Sequence, residues 1–318
     1  MIILYFIIFI VSFLVLFWAG SLLVESLMGI ARYLGWREFV VAFFVMAAAG
    51  SIPNLFVGIN AALQDIPELS FAEIAGGNVV VLTLSIALAV LIGKRNVFAG
   101  SKLVQTSAIF TSVIAVLPLI LIFDGVLSRT DGLVLLLVFL FYTFWLFSKE
   151  DRFRKTYNQK TEKVLKEFKK FLKGLGKAAI AIVLLLIAAK GVVASATVFA
   201  STLHISIPTL GILIVGLGNS LPDIYFAVAS AKRKQTWMIL GDSMGSVIFA
   251  STFVLGIVAI INPIEIYDFS PYGAARFFLI IAATFFLIVV RTGKEITKKE
   301  ALVLLVIYIL FVISVIVL

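Results

Sequence analysis

Residues 218–223 read Gly-Asn-Ser-Leu-Pro-Asp inside a long apolar stretch. A carboxylate in such surroundings has few chemistries open to it: Asp223 must be paired, protonated or bound to a cation. Pro222 beside it removes a backbone hydrogen bond, and the carbonyl oxygen so freed can also face an ion. Residues 50–54, Gly-Ser-Ile-Pro-Asn, repeat the pattern with Asn54 in place of the acid. Two more acids sit in apolar runs, Glu73 in Ala-Glu-Ile-Ala-Gly-Gly-Asn (72–78) and Asp242 in Gly-Asp-Ser-Met-Gly-Ser-Val (241–247). Carboxylates, amides and backbone carbonyls are the donors that hard cations take. The chain has no cysteine and one histidine, His204, which excludes thiolate chemistry, disulfides and multi-histidine metal centres. The pair Asp242 and Asp268 invites comparison with intramembrane aspartyl proteases. Their order along the chain is reversed and Asp268 falls in a loop, so no enzyme is expected and no cofactor.

The elements that hold these residues are membrane helices. Of 318 residues, 62% are hydrophobic and 14% charged, and mean hydropathy is +1.18, a composition that cannot cover a soluble surface. Apolar runs long enough to span a bilayer predict ten helices, near 2–31, 37–64, 70–93, 103–123, 130–148, 178–203, 207–231, 236–262, 272–290 and 300–318. The first run reads as a permanent span, not a signal peptide. With the N-terminus outside, 23 of the 26 Lys and Arg residues fall on the inner side, the distribution expected of inner loops. That places both termini outside, the central loop in the cytoplasm and the protein in the cell membrane. It also accounts for the net charge of +9 without nucleic acid. Between the halves, residues 149–177 carry Phe153, Tyr157, Val164, Phe168, Phe171 and Leu175 at helical spacing among basic residues. This reads as an amphipathic helix on the anionic inner leaflet.

The chain is duplicated. An offset of 169 residues brings Pro53 onto Pro222, Asn54 onto Asp223, Ser51 onto Ser220, Glu73 onto Asp242 and Gly76 onto Gly245. Residues 1–148 and 178–318 thus form two repeats of five spans each. An odd number of spans inverts the second repeat. The expected fold is all-α, a ten-helix polytopic membrane protein of two inverted repeats. Paired broken helices in inverted repeats are the architecture of secondary transporters, with the substrate site near the midplane.

These residues carry a family resemblance. "GNSLPD" followed by "LGDSMGSVIFASTFVLG", and "AGSIPN" followed by "AGGNVVVLTL", resemble the two α-repeats of the cation/calcium exchanger superfamily, which includes sodium/calcium exchangers. The resemblance covers essentially the whole chain. It implies exchange of Ca²⁺ against Na⁺ or H⁺ by alternating access, with ions held between spans 2, 3, 7 and 8. In the family pattern each repeat has Thr-Ser-Leu-Pro-Glu, and the glutamates are the principal calcium ligands. Here those positions are Asn54 and Asp223, and the threonine positions are Gly50 and Asn219.

The expected site therefore centres on Asp223. Asn219, Ser246 and Asn54 add neutral oxygens, and Gly50 and Gly77 permit close backbone approach. One carboxylate makes a weak, more monovalent-like site for an ion that wants six to eight oxygens. Glu73 and Asp242 are possible auxiliaries or simply helix-start residues. Lys190, in Ala-Ala-Lys-Gly-Val-Val (188–193), reads either as a lysine near the end of a tilted helix or as an internal counter-ion paired with Asp223 or Glu25. The rival reading is an exchanger fold that has lost Ca²⁺ transport and serves another ion or a binding role.

Overall fold

The computed structural model describes residues 2–33, 38–148, 164–234 and 236–317. Ten helices account for nearly all of them. The first repeat contains α1 (Ile2–Tyr33), α2 (Glu38–Leu63), α3 (Glu68–Gly93), α4 (Lys102–Leu121) and α5 (Arg129–Ser148). The second contains α6 (Val164–Leu203), α7 (Ile207–Lys232), α8, α9 (Gly273–Thr292) and α10 (Lys298–Val317); α8 runs Thr236–Ile248, through Phe249–Val254, to Leu255–Ile261. The ten spans expected from the apolar runs are all present as helices.

One boundary differs. The segment 149–177 was expected to be a helix separate from span 6, but from Val164 onward it is continuous with that span in one 40-residue helix. No proline interrupts it, and a helix of that length reaches about 60 Å, twice the hydrocarbon thickness. Residues 149–163 lie outside the described residues.

The two repeats meet at both ends of the bundle. Val97–Phe98 (β1) pairs antiparallel with Glu295–Ile296 (β4), and Val126–Leu127 (β2) pairs with Ile264–Glu265 (β3). Each pair joins a loop of one repeat to a loop of the other. The duplication is visible in the backbone as well. Asp65 and Lys234, 169 positions apart, both close their helices in the left-handed region, with φ of 58° and 66°.

Packing separates centre from periphery. In α3 and α8, 83% and 78% of the residues in the most apolar stretch are buried, against 22% in α10. A single core runs through both repeats around these two helices. A smaller one joins α1 to α6, where Ala188, Ala189, Val192 and Val193 of α6 are buried with Phe9, Phe13 and Leu16 of α1. There α1 passes so close that a Cβ on Gly191 would lie 2.2 Å from Ser12 Oγ.

Candidate cation site

Three of the four motif helices widen within or next to their motifs. Helix α3 has a π-helical turn at Val81–Ser85, α7 at Gly211–Val215 and α8 at Phe249–Val254. A π-turn shifts the hydrogen-bond ladder by one residue and recurs at functional sites. The turns in α3 and α8 overlap at the 169-residue offset. Within them Thr83 and Thr252, also 169 apart, each donate to the carbonyl four residues back, Val79 and Ile248. Asn78 Nδ2 then ties the two helices together by donating to Ser251 Oγ at 2.7 Å.

Helices α3 and α7 cross with almost no space between backbones. A Cβ on Gly76 would sit 2.2 Å from the carbonyl oxygen of Ile212, and one on Gly216 would sit 2.8 Å from that of Glu73. Gly77 lies on the same seam, where its Cβ would be 3.2 Å from Ser220 Oγ. This crossing brings Glu73 against the second repeat. Asn219 Nδ2 donates to Glu73 Oε2 at 2.8 Å, and both side chains are 2% exposed. Gly76→Ala is therefore expected to cost about 3 kcal/mol or more, since neither backbone can yield. Gly241→Ala, with nothing within 4 Å of the added carbon, serves as the tolerated control. Thermal melting of the detergent-solubilised proteins checks the contrast.

Asp223 and Asp242 are 4% and 5% exposed. Ser246 Oγ donates to Asp223 Oδ1 at 2.6 Å. Ser51 of the first repeat donates to the carbonyl of Ser246 at 3.5 Å. Buried side-chain oxygens without a hydrogen-bond partner lie on all four motif helices: Asn54 Oδ1 on α2, Ser70 Oγ, Glu73 Oε1 and Ser85 Oγ on α3, Asn219 Oδ1 on α7, and Asp242 Oδ2 and Ser243 Oγ on α8. Unsatisfied buried acceptors are expensive, and the carboxylate and amide oxygens among these match the chemistry of a cation.

Asp223 and Asn219 lie on α7, Ser246 on α8 and Asn54 on α2, and Gly77 lies on the α3–α7 seam; Gly50 falls within α2. Glu73 and Asp242 are buried polar groups of this cluster, not helix-start residues. The sequence did flag them, through their match at the repeat offset. Lys190 does not belong to it. It is exposed on α6, off the alanine and valine stripe that meets α1, while Asp223 takes its hydrogen bond from Ser246 and Glu25 is exposed on α1. Among the described residues no three acidic or histidine side chains converge as a chelating cluster. The carboxylates are distributed, Glu73 with Asn219 and Asp223 with Ser246.

A family model described as sodium/calcium exchanger protein matches residues 4–148 and 173–317. The inner membrane protein YrbG of Escherichia coli strain K12 is 28% identical over 264 residues, covering 81% of this chain and 80% of that protein. The sodium/calcium exchanger MaX1 of Methanosarcina acetivorans is 23% identical over 325 residues, covering 91% and 92%. Among solved structures, the sodium-calcium exchanger NCX_Mj, soaked with Na⁺ and Sr²⁺, superposes with a TM-score of 0.67 at 23% identity, covering 99% of both chains.

Proposed function

This chain belongs to the sodium/calcium exchanger protein family, and from that premise we propose that it is an antiporter whose exchanged cations compete for the carboxylates Asp223, Asp242 and Glu73. The observation that carries the reading is that α2, α3, α7 and α8 each bury a carboxylate or amide oxygen with no hydrogen-bond donor. Such oxygens suit a dehydrated cation and do not suit an anion.

The charge arrangement suggests how exchange is coupled. Asp223 and Asp242 are both buried, and buried carboxylates are stabilised by a cation that offsets their charge. One Ca²⁺ neutralises Asp223 and Asp242 together; so do two monovalent ions, Na⁺ or H⁺. Binding of one class therefore excludes the other, and movement of either must be followed by return of the other. Ser246 and the amides of Asn54 and Asn219 supply neutral oxygens that help replace the hydration shell. Glu73, absent from the expected primary set, raises the acid count to three and offsets the neutral Asn54. The π-turns next to the site, and the α3–α7 seam, are where the repeats would shift as access alternates.

Flux through proteoliposomes tests the proposal. A preset outward Na⁺ gradient is expected to drive uptake of ⁴⁵Ca²⁺, and external Na⁺ to compete with it. Uptake driven by a pH gradient instead would assign the counter-ion as H⁺. No flux of any cation under either gradient would favour the rival, a family member that keeps the fold without the transport.

A further inference from the structure

At the end of the bundle where α2 turns into α3, a recess of about 620 Å³ opens between that turn, the start of α7 and the loop 262–272. Its charged wall is entirely acidic: Asp65, Glu68, Glu265 and Asp268. We propose that this recess is a second cation site, an antechamber that holds a hydrated cation outside the buried cluster.

Two observations take it beyond a patch of acids. The first is Tyr272, which lines the recess yet is 2% exposed, its hydroxyl without a hydrogen-bond partner. Its ring packs edge-on to Phe71, with centroids 5.7 Å apart. A buried hydroxyl beside carboxylates is satisfied by a water, and a cation's hydration shell supplies one.

The second is an asymmetry between the repeats. Asp65 occupies the repeat position of Lys234, with the same left-handed backbone, and Lys234 lines a recess at the opposite end with Lys94 and Arg95. The charge of the two recesses is reversed between the repeats. Loop lysines and arginines follow from membrane topology, whereas topology places almost no constraint on aspartate and glutamate. The acidic end thus has a cause of its own.

The carboxylates are partly engaged, which keeps them in place. Asn262 Nδ2 donates to Asp65 Oδ1 at 3.1 Å, and Tyr267 donates to Glu265. The amide of Ser270 donates to Asp268 Oδ1 at 2.9 Å. That bond holds the Asp268 carboxyl below its usual range, so it is ionised at neutral pH. Because the carboxylates ring the space without converging, the ion keeps its inner waters. Glu68 opens α3, so the recess stands about 7 Å along the helix axis from Glu73.

Terbium luminescence excited through tyrosine is the test, on the purified protein in detergent. Four proteins are compared: wild type, Asp223→Asn, the recess pair Glu68→Gln with Glu265→Gln, and all three substitutions together. Tb³⁺ is expected to give saturable emission in wild type and in Asp223→Asn, falling about fivefold with the recess pair, since half of the wall charge is gone. Tyr272→Phe is expected to dim it while size-exclusion profiles stay unchanged. Emission lifetimes in H₂O and D₂O should show several retained waters. Emission that ignores the recess pair and vanishes with Asp223→Asn would overturn the proposal while leaving the buried site intact. Emission that survives Asp223→Asn but ignores both the recess pair and Tyr272→Phe would overturn it too.

Discussion

Asp223→Asn is expected to lower cation-coupled flux at least about 100-fold while leaving the folded protein intact. The substitution is nearly isosteric, and the asparagine Oδ1 can still accept from Ser246, which now donates at 2.6 Å. Packing around this 4%-exposed residue is therefore preserved. What disappears is one negative charge beside Asp242. A dication that left its hydration shell for two carboxylates now meets one, and removing one member of a buried charge set typically costs about 2–5 kcal/mol. Tracer uptake in proteoliposomes gives the flux, and protection against thermal unfolding by added Ca²⁺ or Na⁺ gives binding without transport. Loss of both, with an unchanged melting temperature in the absence of ions, is the expected pair of results. Flux above half of wild type would remove Asp223 from the ion path.

Much of the fold was legible because membrane physics writes it in large letters. Ten apolar runs became ten helices, and the offset that matched Pro53 to Pro222 also matches Asp65 to Lys234 in backbone conformation and the π-turn of α3 to that of α8. Depth in the membrane could be read from the sequence, but direction around the helix could not. Lys190 shows the difference. Its position near the middle of span 6 suggested an internal charge, yet the face of α6 that turns inward is Ala188, Ala189, Val192 and Val193, and the lysine lies off it. Glu73 errs the other way. It stands a turn before a pair of glycines, where an acid also suits a helix start. The bare backbones of Gly76 and Gly216 let α3 and α7 close on each other, and that contact delivers its carboxylate to Asn219, 146 residues away. The π-turns left no mark that periodicity could detect, since one extra residue per turn hardly disturbs the pattern of a helix that is apolar on every face.

Glu73→Gln is expected to reduce flux about tenfold or more, and Asn54→Asp is expected to restore most of it. The first effect follows from charge, since glutamine can still accept from Asn219 Nδ2 in place of the carboxylate that does so at 2.8 Å. The geometry survives and the third acid is lost. The rescue follows from the duplication. Asn54 is the repeat counterpart of Asp223, with an amide oxygen that is buried and has no donor, so an aspartate there returns the missing charge to the same cluster from a neighbouring helix. Two independent defects would multiply; a shared charge requirement makes the second substitution compensate for the first, a coupling of about 1–3 kcal/mol in a double-mutant cycle. Flux at a fixed ion gradient in the four proteins supplies the cycle, with Asn54→Asp alone as the fourth corner. Rescue means that the transported cation needs a third acid, which either α2 or α3 can supply. Absence of rescue, with all four proteins folded, would make Glu73 a positioning residue whose task is to hold Asn219, and would leave Asp223 and Asp242 as the whole of the charge that the transported cation meets.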